Sequence, residues 1–286
     1  MPDLDQSKMG DHLPTAESSA APMASSRSVD YPAIVEFVRK RRQATGGYSA
    51  TPRLPATVED TFEAVAILLD ISERGFDLPK PPGDDDALAC YLGRVLAAPW
   101  LAISTTFRML LSCRSLDLAI DVERVRSHVA ACLAREPSLA TVYYVARIAV
   151  EILAIKPREL LGGRQPVPLP ARYAVDDMHR YLAVQNMLNE QPVDSNEIVD
   201  WLQRSQNGDG GFGFFPGTTS FIENCHAGLA ALTLLAAVPV DLVNARAFIV
   251  SCQTGAGGFS RNLRAAPFLE STWHAVASLR LLEKMP

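Results

Sequence analysis

The chain has 286 residues, 48% hydrophobic and 21% charged, with a formal net charge of -5. That balance supports a sizeable buried core and excludes a basic nucleic-acid or anionic-membrane surface as the basis of function. Cys90, Cys113, Cys132, Cys225 and Cys252 contain no CxxC pair, and no apolar run reaches the ~18 residues of a membrane span. They read as reduced thiols of a cytoplasmic protein, not as a disulfide frame or a local zinc knuckle.

Residues 1–28 are rich in Ser, Ala and Pro and poor in large apolar side chains. They cannot bury enough surface to offset the entropy of ordering, so a disordered tail is expected there. Residues 29–286 are expected to form one domain. It begins with Tyr31–Gln43, an amphipathic helix with Ile34, Val35 and Val38 on one face. Gln43, Gly46-Gly47-Tyr48 and Glu59 follow, and then an apolar helix, TFEAVAILLDI. The same order recurs twice near the C-terminus. Gln206, Gly210-Gly211-Phe212 and Glu223 form one copy; Gln253, Gly257-Gly258-Phe259 and Glu270 form the other. Gln lies 17 residues before Glu in both; in the first copy Gln43 lies 16 before Glu59, so it matches with one deletion.

A repeat of this length is a helical pair. Aligned on the second helix of each pair, six copies emerge: VEDTFEA from Val58, ISTTFRM from Ile103, ATVYYVA from Ala140, VDDMHRY from Val175, IENCHAG from Ile222 and LESTWHA from Leu269. Partner helices fall at 31–42, 86–96, 122–134, 156–161, 196–205 and 243–252. Six outer and six inner helices predict an all-α toroid. Small residues such as Ala64, Ala66, Ala227, Gly228, Ala275 and Ala277 let the inner helices pack closely. The Gly-Gly pairs supply the positive φ and close backbone approach needed to reverse the chain, and Gln206 and Gln253 can bond the exposed helix-end carbonyls.

The runs QNGDGGF and CQTGAGGF resemble the Gln-x-x-Asp-Gly-Gly-aromatic repeat of protein prenyltransferase β subunits and squalene-hopene-type terpene cyclases. The resemblance is strongest over residues 195–286 and softer over 30–75. It implies an α/α toroid around an aromatic cavity that takes isoprenoid chains. In the prenyltransferases it also implies a helical α-type partner subunit; a second copy of the chain is the alternative.

Two columns carry the candidate chemistry. Phe62, Phe107, Tyr144, His179, His226 and Trp273 place one ring on each inner helix. They line the cavity and contact a substrate chain or a carbocation if they point inward; packing between helix layers is the alternative. Glu59, Asp176, Glu223 and Glu270 open four inner helices. They are candidate catalytic acids; the alternative is a carboxylate favoured by the helix dipole.

Resemblance to the transferases makes Glu223-Asn224-Cys225 similar to their zinc-binding Asp-x-Cys. With His274 one turn into the last inner helix, Glu223, Cys225 and His274 are then the expected zinc ligands. The third family ligand, a His, falls on Glu270 here. The basic clamp for the diphosphate falls on Gly217 and Ser220. Resemblance to the cyclases instead makes Glu59 or Asp176 the acid of a partial Asp-x-Asp-Asp motif, which must be kept protonated. Three functions follow: a prenyltransferase-like enzyme, an acid-initiated terpene cyclase, and a toroid that binds a lipid or a protein partner without catalysis.

Overall fold

In the computed structural model the described residues are 28–100, 102–135, 137–162, 168–169, 172–192 and 194–286. The expected tail falls outside them, apart from Ser28. Among the described residues, twelve α-helices alternate between two layers. The outer layer is α1 (Tyr31–Arg39), α3 (Asp86–Ala97), α5 (Val122–Arg135), α7 (Pro157–Leu161), α9 (Ser195–Arg204) and α11 (Leu242–Ser251). The inner layer is α2 (Val58–Glu73), α4 (Ile103–Ser115), α6 (Leu139–Arg147), α8 (Val175–Leu188), α10 (Ile222–Leu234) and α12 (Leu269–Leu282).

Burial explains the layering. Helix α10 buries residues on every side, among them Ile222, Cys225, Leu229, Ala231 and Leu232, whereas α9 buries Leu202 alone. A helix apolar all round must sit inside, and a helix with one apolar stripe must cover it. Each inner helix contacts the next, α2 to α4, α6, α8, α10 and α12, and α12 returns to α2. The ring is closed, and the chain is an α/α toroid, as its repeat predicts.

Outer helices start on conventional caps. The side chains of Asp30, Asp85 and Asp241 accept from the backbone N–H of Ala33, Leu88 and Asn244. Asp85, in the run Asp84-Asp85-Asp86, is thus the N-cap of α3. At their far ends four inner helices carry a bond from a backbone N–H five residues back: Phe76 to Ile71, Leu118 to Cys113, Glu190 to Gln185, and Ala237 to Leu232. This is the closure of a left-handed cap, with Gly75, Asp117, Asn189 and Ala236 at positive φ.

The Gly-Gly loops fasten one pair to the next. Gln206 donates from Nε2 to the carbonyls of Gly210 (3.0 Å) and Asp241 (2.8 Å) and accepts from Asp241 N–H (2.9 Å). Asp241 caps α11, so the loop after α9 grips the start of the next outer helix. Gln253 makes the same three bonds to Gly257 and to Asp30, the cap of α1. The last repeat is thereby tied to the first. Gly210 and Gly257 sit at φ +86 and +97, where a Cβ would lie 2.1 Å from the carbonyl oxygens of Asn244 and Ala33.

The first copy corrects the sequence alignment. Its Gln-column residue is Arg42, not Gln43. Arg42 Nε donates to the Gly46 carbonyl and its guanidinium pairs with the Asp85 carboxylate, the cap of α3. Arg42 pairs with Tyr48 in an isolated bridge, as Gln206 does with Phe212 and Gln253 with Phe259. Arg42 lies 17 residues before Glu59, so no deletion is needed. A second correction concerns α6, which begins at Leu139. Its ring-column residue by helix position is Tyr143, one before Tyr144.

Replacing Gln253 by Ala removes three bonds at the ring closure and should cost about 2–3 kcal/mol. Gly257→Ala adds strain and a clash and should cost at least as much. Gly255→Ala, whose Cβ meets nothing within 4 Å, should be near neutral. Urea unfolding of the three variants checks the order.

Candidate functional site

A cavity of about 610 Å³ occupies the centre of the toroid and takes side chains from all six inner helices. It runs along α8 from Asp176 to Met187, roughly 16 Å at the helical rise. Ala183, Ala227 and Ala230 leave it room.

The ring column faces this space. Phe62, Phe107, Tyr144, His179, His226 and Trp273 all line it, and so does Tyr143. Neighbouring rings touch around most of the circle. Centroids are 5.6 Å apart for Phe62 and Trp273, 5.7 Å for Phe107 and Tyr144, and 5.1 Å for Tyr143 and Tyr144. They are 5.9 Å apart for Tyr143 and His179, 6.4 Å for His179 and His226, and 5.1 Å for His226 and Trp273. Helices α6 and α12 each supply two adjacent rings to the wall, Tyr143 with Tyr144 and Trp273 with His274.

Cations sit beside the belt. Arg147 lies over the Phe107 ring, 4.3 Å from its centroid, and bonds the Tyr143 hydroxyl and Glu151. Glu151 belongs to a π-helical turn, Ile148–Ile152, that continues α6. Such turns have no simple sequence signature, and this ion pair was invisible to the repeat alignment. Arg180 pairs with Asp176, and Arg108 lines the cavity with no ion-pair partner among the described residues.

The four candidate acids separate. Asp176, Glu223 and Glu270 line the cavity. Glu59 is not among its lining residues and accepts from the Thr105 hydroxyl, tying α2 to α4. Glu223 is held by Arg261, which also stacks on Phe221. The Asp176 carboxyl is raised by poor solvation in the cavity, against the opposing pull of Arg180. A carboxyl outside the motif positions is shifted further: Glu63, buried on α2 one turn below Glu59, is raised to about 8 by burial and by nearby Glu270. A lone Glu inside TFEAVA carried no repeat signature, so only its burial reveals it.

Three histidines share the wall. His226 and His274 approach Nδ1 to Nδ1 at 2.9 Å. One must donate and the other accept, so the two cannot both be protonated. Burial holds His226 down at about 4 and His179 at about 3, and pushes His274 well below its ordinary value. All three line the cavity wall, where burial disfavours an imidazolium.

The expected zinc ligands do not converge. Cys225 Sγ accepts from the Phe212 N–H at 3.3 Å, on the loop side of α10. Thr61 accepts in the same way from Tyr48 N–H, and Thr272 from Phe259 N–H. Cys225 therefore has the role of those threonines, clamping a Gly-Gly-aromatic loop to its inner helix. Its thiol is completely enclosed and strongly raised by burial. Glu223 is turned to Arg261 and His274 to His226. Among the described residues no three His, Cys, Asp or Glu side chains are grouped to hold a metal ion. Two residues apart on a helix point apart, and α10 is already helical at Ile222.

A family model described as the prenyltransferase alpha-alpha toroid domain matches residues 16–92 and 181–286. The chain belongs to this family. Among curated proteins none matches it. In the unmatched middle, 93–180, the inner helices α4, α6 and α8 still contact their neighbours in the ring. Among the described residues no helix is long and apolar enough to cross a membrane.

Two outcomes follow from these contacts. Cys225→Thr should preserve stability within about 1 kcal/mol, because two other repeats use Thr at this place; Cys225 should resist alkylation until the protein unfolds. Glu63 binds a proton in the folded state between pH 4.5 and about 8 that the unfolded chain has released. Wild-type stability therefore falls as pH rises through that window. Glu63→Gln should gain on the order of 2 kcal/mol at pH 8 and much less at pH 5, measured by urea midpoints at both pH values.

Proposed function

We propose that this toroid is an isoprenoid-processing protein that binds a prenyl or terpenoid chain in its central cavity. The observation that carries the proposal is the belt of rings, at least one from each inner helix, around a space of about 610 Å³. That volume falls in the ~300–1,000 Å³ range of small-molecule sites, and its wall combines aromatic rings with charged and hydrogen-bonding side chains. Membership of the toroid family supports the same class of ligand.

Chemistry within this reading rests on acid–base groups. The donor set Glu223, Cys225 and His274 does not fit a zinc ion as these side chains stand, so no step is assigned to one. Asp176 supports a second, finer reading as a terpene cyclase. It is the acidic-column residue whose carboxyl both lines the cavity and is raised toward the neutral form. Protonation of Asp176 breaks its ion pair with Arg180; the acid then passes its proton to an alkene carbon of a bound chain, and the facing rings stabilise the resulting cation. Residues Phe62, Phe107, Tyr144, His179, His226 and Trp273 are then substrate contacts. A helical α-type subunit or a second copy of the chain is a further proposal that the family resemblance supports.

Trp273 is the tryptophan of the cavity wall, so a bound chain should change its fluorescence. Titration of the full chain with geranylgeraniol, farnesol and their diphosphates should show saturable quenching, lost in Ala230→Phe, which fills the cavity. Absence of saturable binding by any of them would reject the isoprenoid reading. For the finer reading, Asp176→Asn should abolish product formation while binding persists.

A further inference from the structure

A second cavity, of about 370 Å³, lies against α2, α4 and the end of α12. Resting on the isoprenoid reading above, we propose that Phe62 limits the length of chain the toroid accepts, because its ring closes the central cavity against this second space.

Among the described residues, Phe62 alone lines both cavities. It stands in the ring column, and toward the C-terminal ends of the inner helices the two spaces part. The central cavity continues past Ala183 and Met187 on α8 and past Ala230 and Leu234 on α10. The second runs past Val65, Ala66 and Leu69 on α2 and past Leu111 on α4. The Phe62 side chain is the element common to the two walls, so its size decides whether they join.

The ring is held in place. Phe62 is 7% exposed and meets Trp273 edge to face, with centroids 5.6 Å apart and planes at 62°. Moving it aside forfeits that contact and needs room in a packed wall. The space behind it suits a hydrocarbon. Along α2 its lining passes from Phe62, Val65, Ala66 and Leu69 to Asp70 and Glu73, from apolar to charged. Both carboxylates are engaged by Arg280. A chain end that crossed Phe62 would therefore meet apolar wall first. Carrying one further methylene from water into such a space raises a binding constant roughly fourfold. A longer chain has this much to gain per carbon, and Phe62 withholds it.

Calorimetric titration of the full chain with farnesol and with geranylgeraniol, which is one isoprene unit longer, tests the assignment. In the wild type the two alcohols should bind within about threefold of each other. Phe62→Ala joins the cavities, and geranylgeraniol should then bind at least tenfold more tightly than farnesol. Phe62→Leu keeps an apolar side chain in the wall; it should move the ratio the same way by less, and it serves if the alanine variant does not fold. Ala66 lines the second cavity and not the central one, so Ala66→Phe fills the space behind the partition. Alone, it should leave both affinities unchanged. Combined with Phe62→Ala, it should return the ratio to the wild-type value. Phe62 variants with an unchanged ratio overturn the proposal. So does an Ala66→Phe protein with weakened geranylgeraniol binding, because the wild-type chain would then already occupy the second cavity. A ratio that rises in Phe62→Ala and is not restored by Ala66→Phe also overturns it, since the added room would lie elsewhere. If neither alcohol binds to any variant, the isoprenoid reading itself falls and takes the proposal with it.

Discussion

A toroid built of repeats is a strip of helix pairs until its ends meet, and here they meet through Gln253. Its amide makes two bonds to the backbone of Asp30, on the far side of the sequence, and a third to its own loop. At the opposite end of the same seam Arg280 pairs with Asp70 and Glu73, and Arg74 with Asp70 and Glu283. The apolar contact of α2 with α12 lies between these polar fastenings. Closure matters because each inner helix is apolar on both flanks. An open strip would leave α2 and α12 each with one such flank in water.

Closure also creates the site. Because six inner helices must complete a circle, the residues at one height on each helix are brought face to face. Phe62 and Trp273, at the two ends of the sequence, touch through this circle. The central space is too wide for the rings to fill, and the small residues of α8 and α10 enlarge it. Burial of individual side chains in its wall disfavours charge on the three histidines and keeps a proton on Glu63.

The comparison among repeats separates structural from chemical residues. Tyr48, Phe212 and Phe259 each send a backbone N–H to an inner helix, received by Thr61, Cys225 and Thr272. A cysteine that looks like a metal ligand beside Glu223 becomes, in its repeat column, an alternative to threonine. The same comparison moves the Gln role onto Arg42. Arginine is long enough to reach the Asp85 side chain, whereas Gln206 and Gln253 reach backbone. One fastening is thus made by two chemistries, and residue type alone does not reveal it.

The amino-acid sequence by itself determined the repeat, the alternation of outer and inner helices and the ring column, because apolar periodicity and Gly-Gly turns are local properties of the chain. Inner helices begin at Val58, Ile103, Val175, Ile222 and Leu269 as their spacing predicts. The one slip, at Leu139, comes where the loop has no Gly-Gly marker. Tertiary structure alone decided which polar residues face the cavity and which of them are already committed. Glu59 and Cys225 are spent on interhelical and loop contacts, while Glu63 and Arg147 gain their importance from burial. The physical reason is that a side chain's partners and solvation depend on residues far away in sequence, which meet it only when the circle closes.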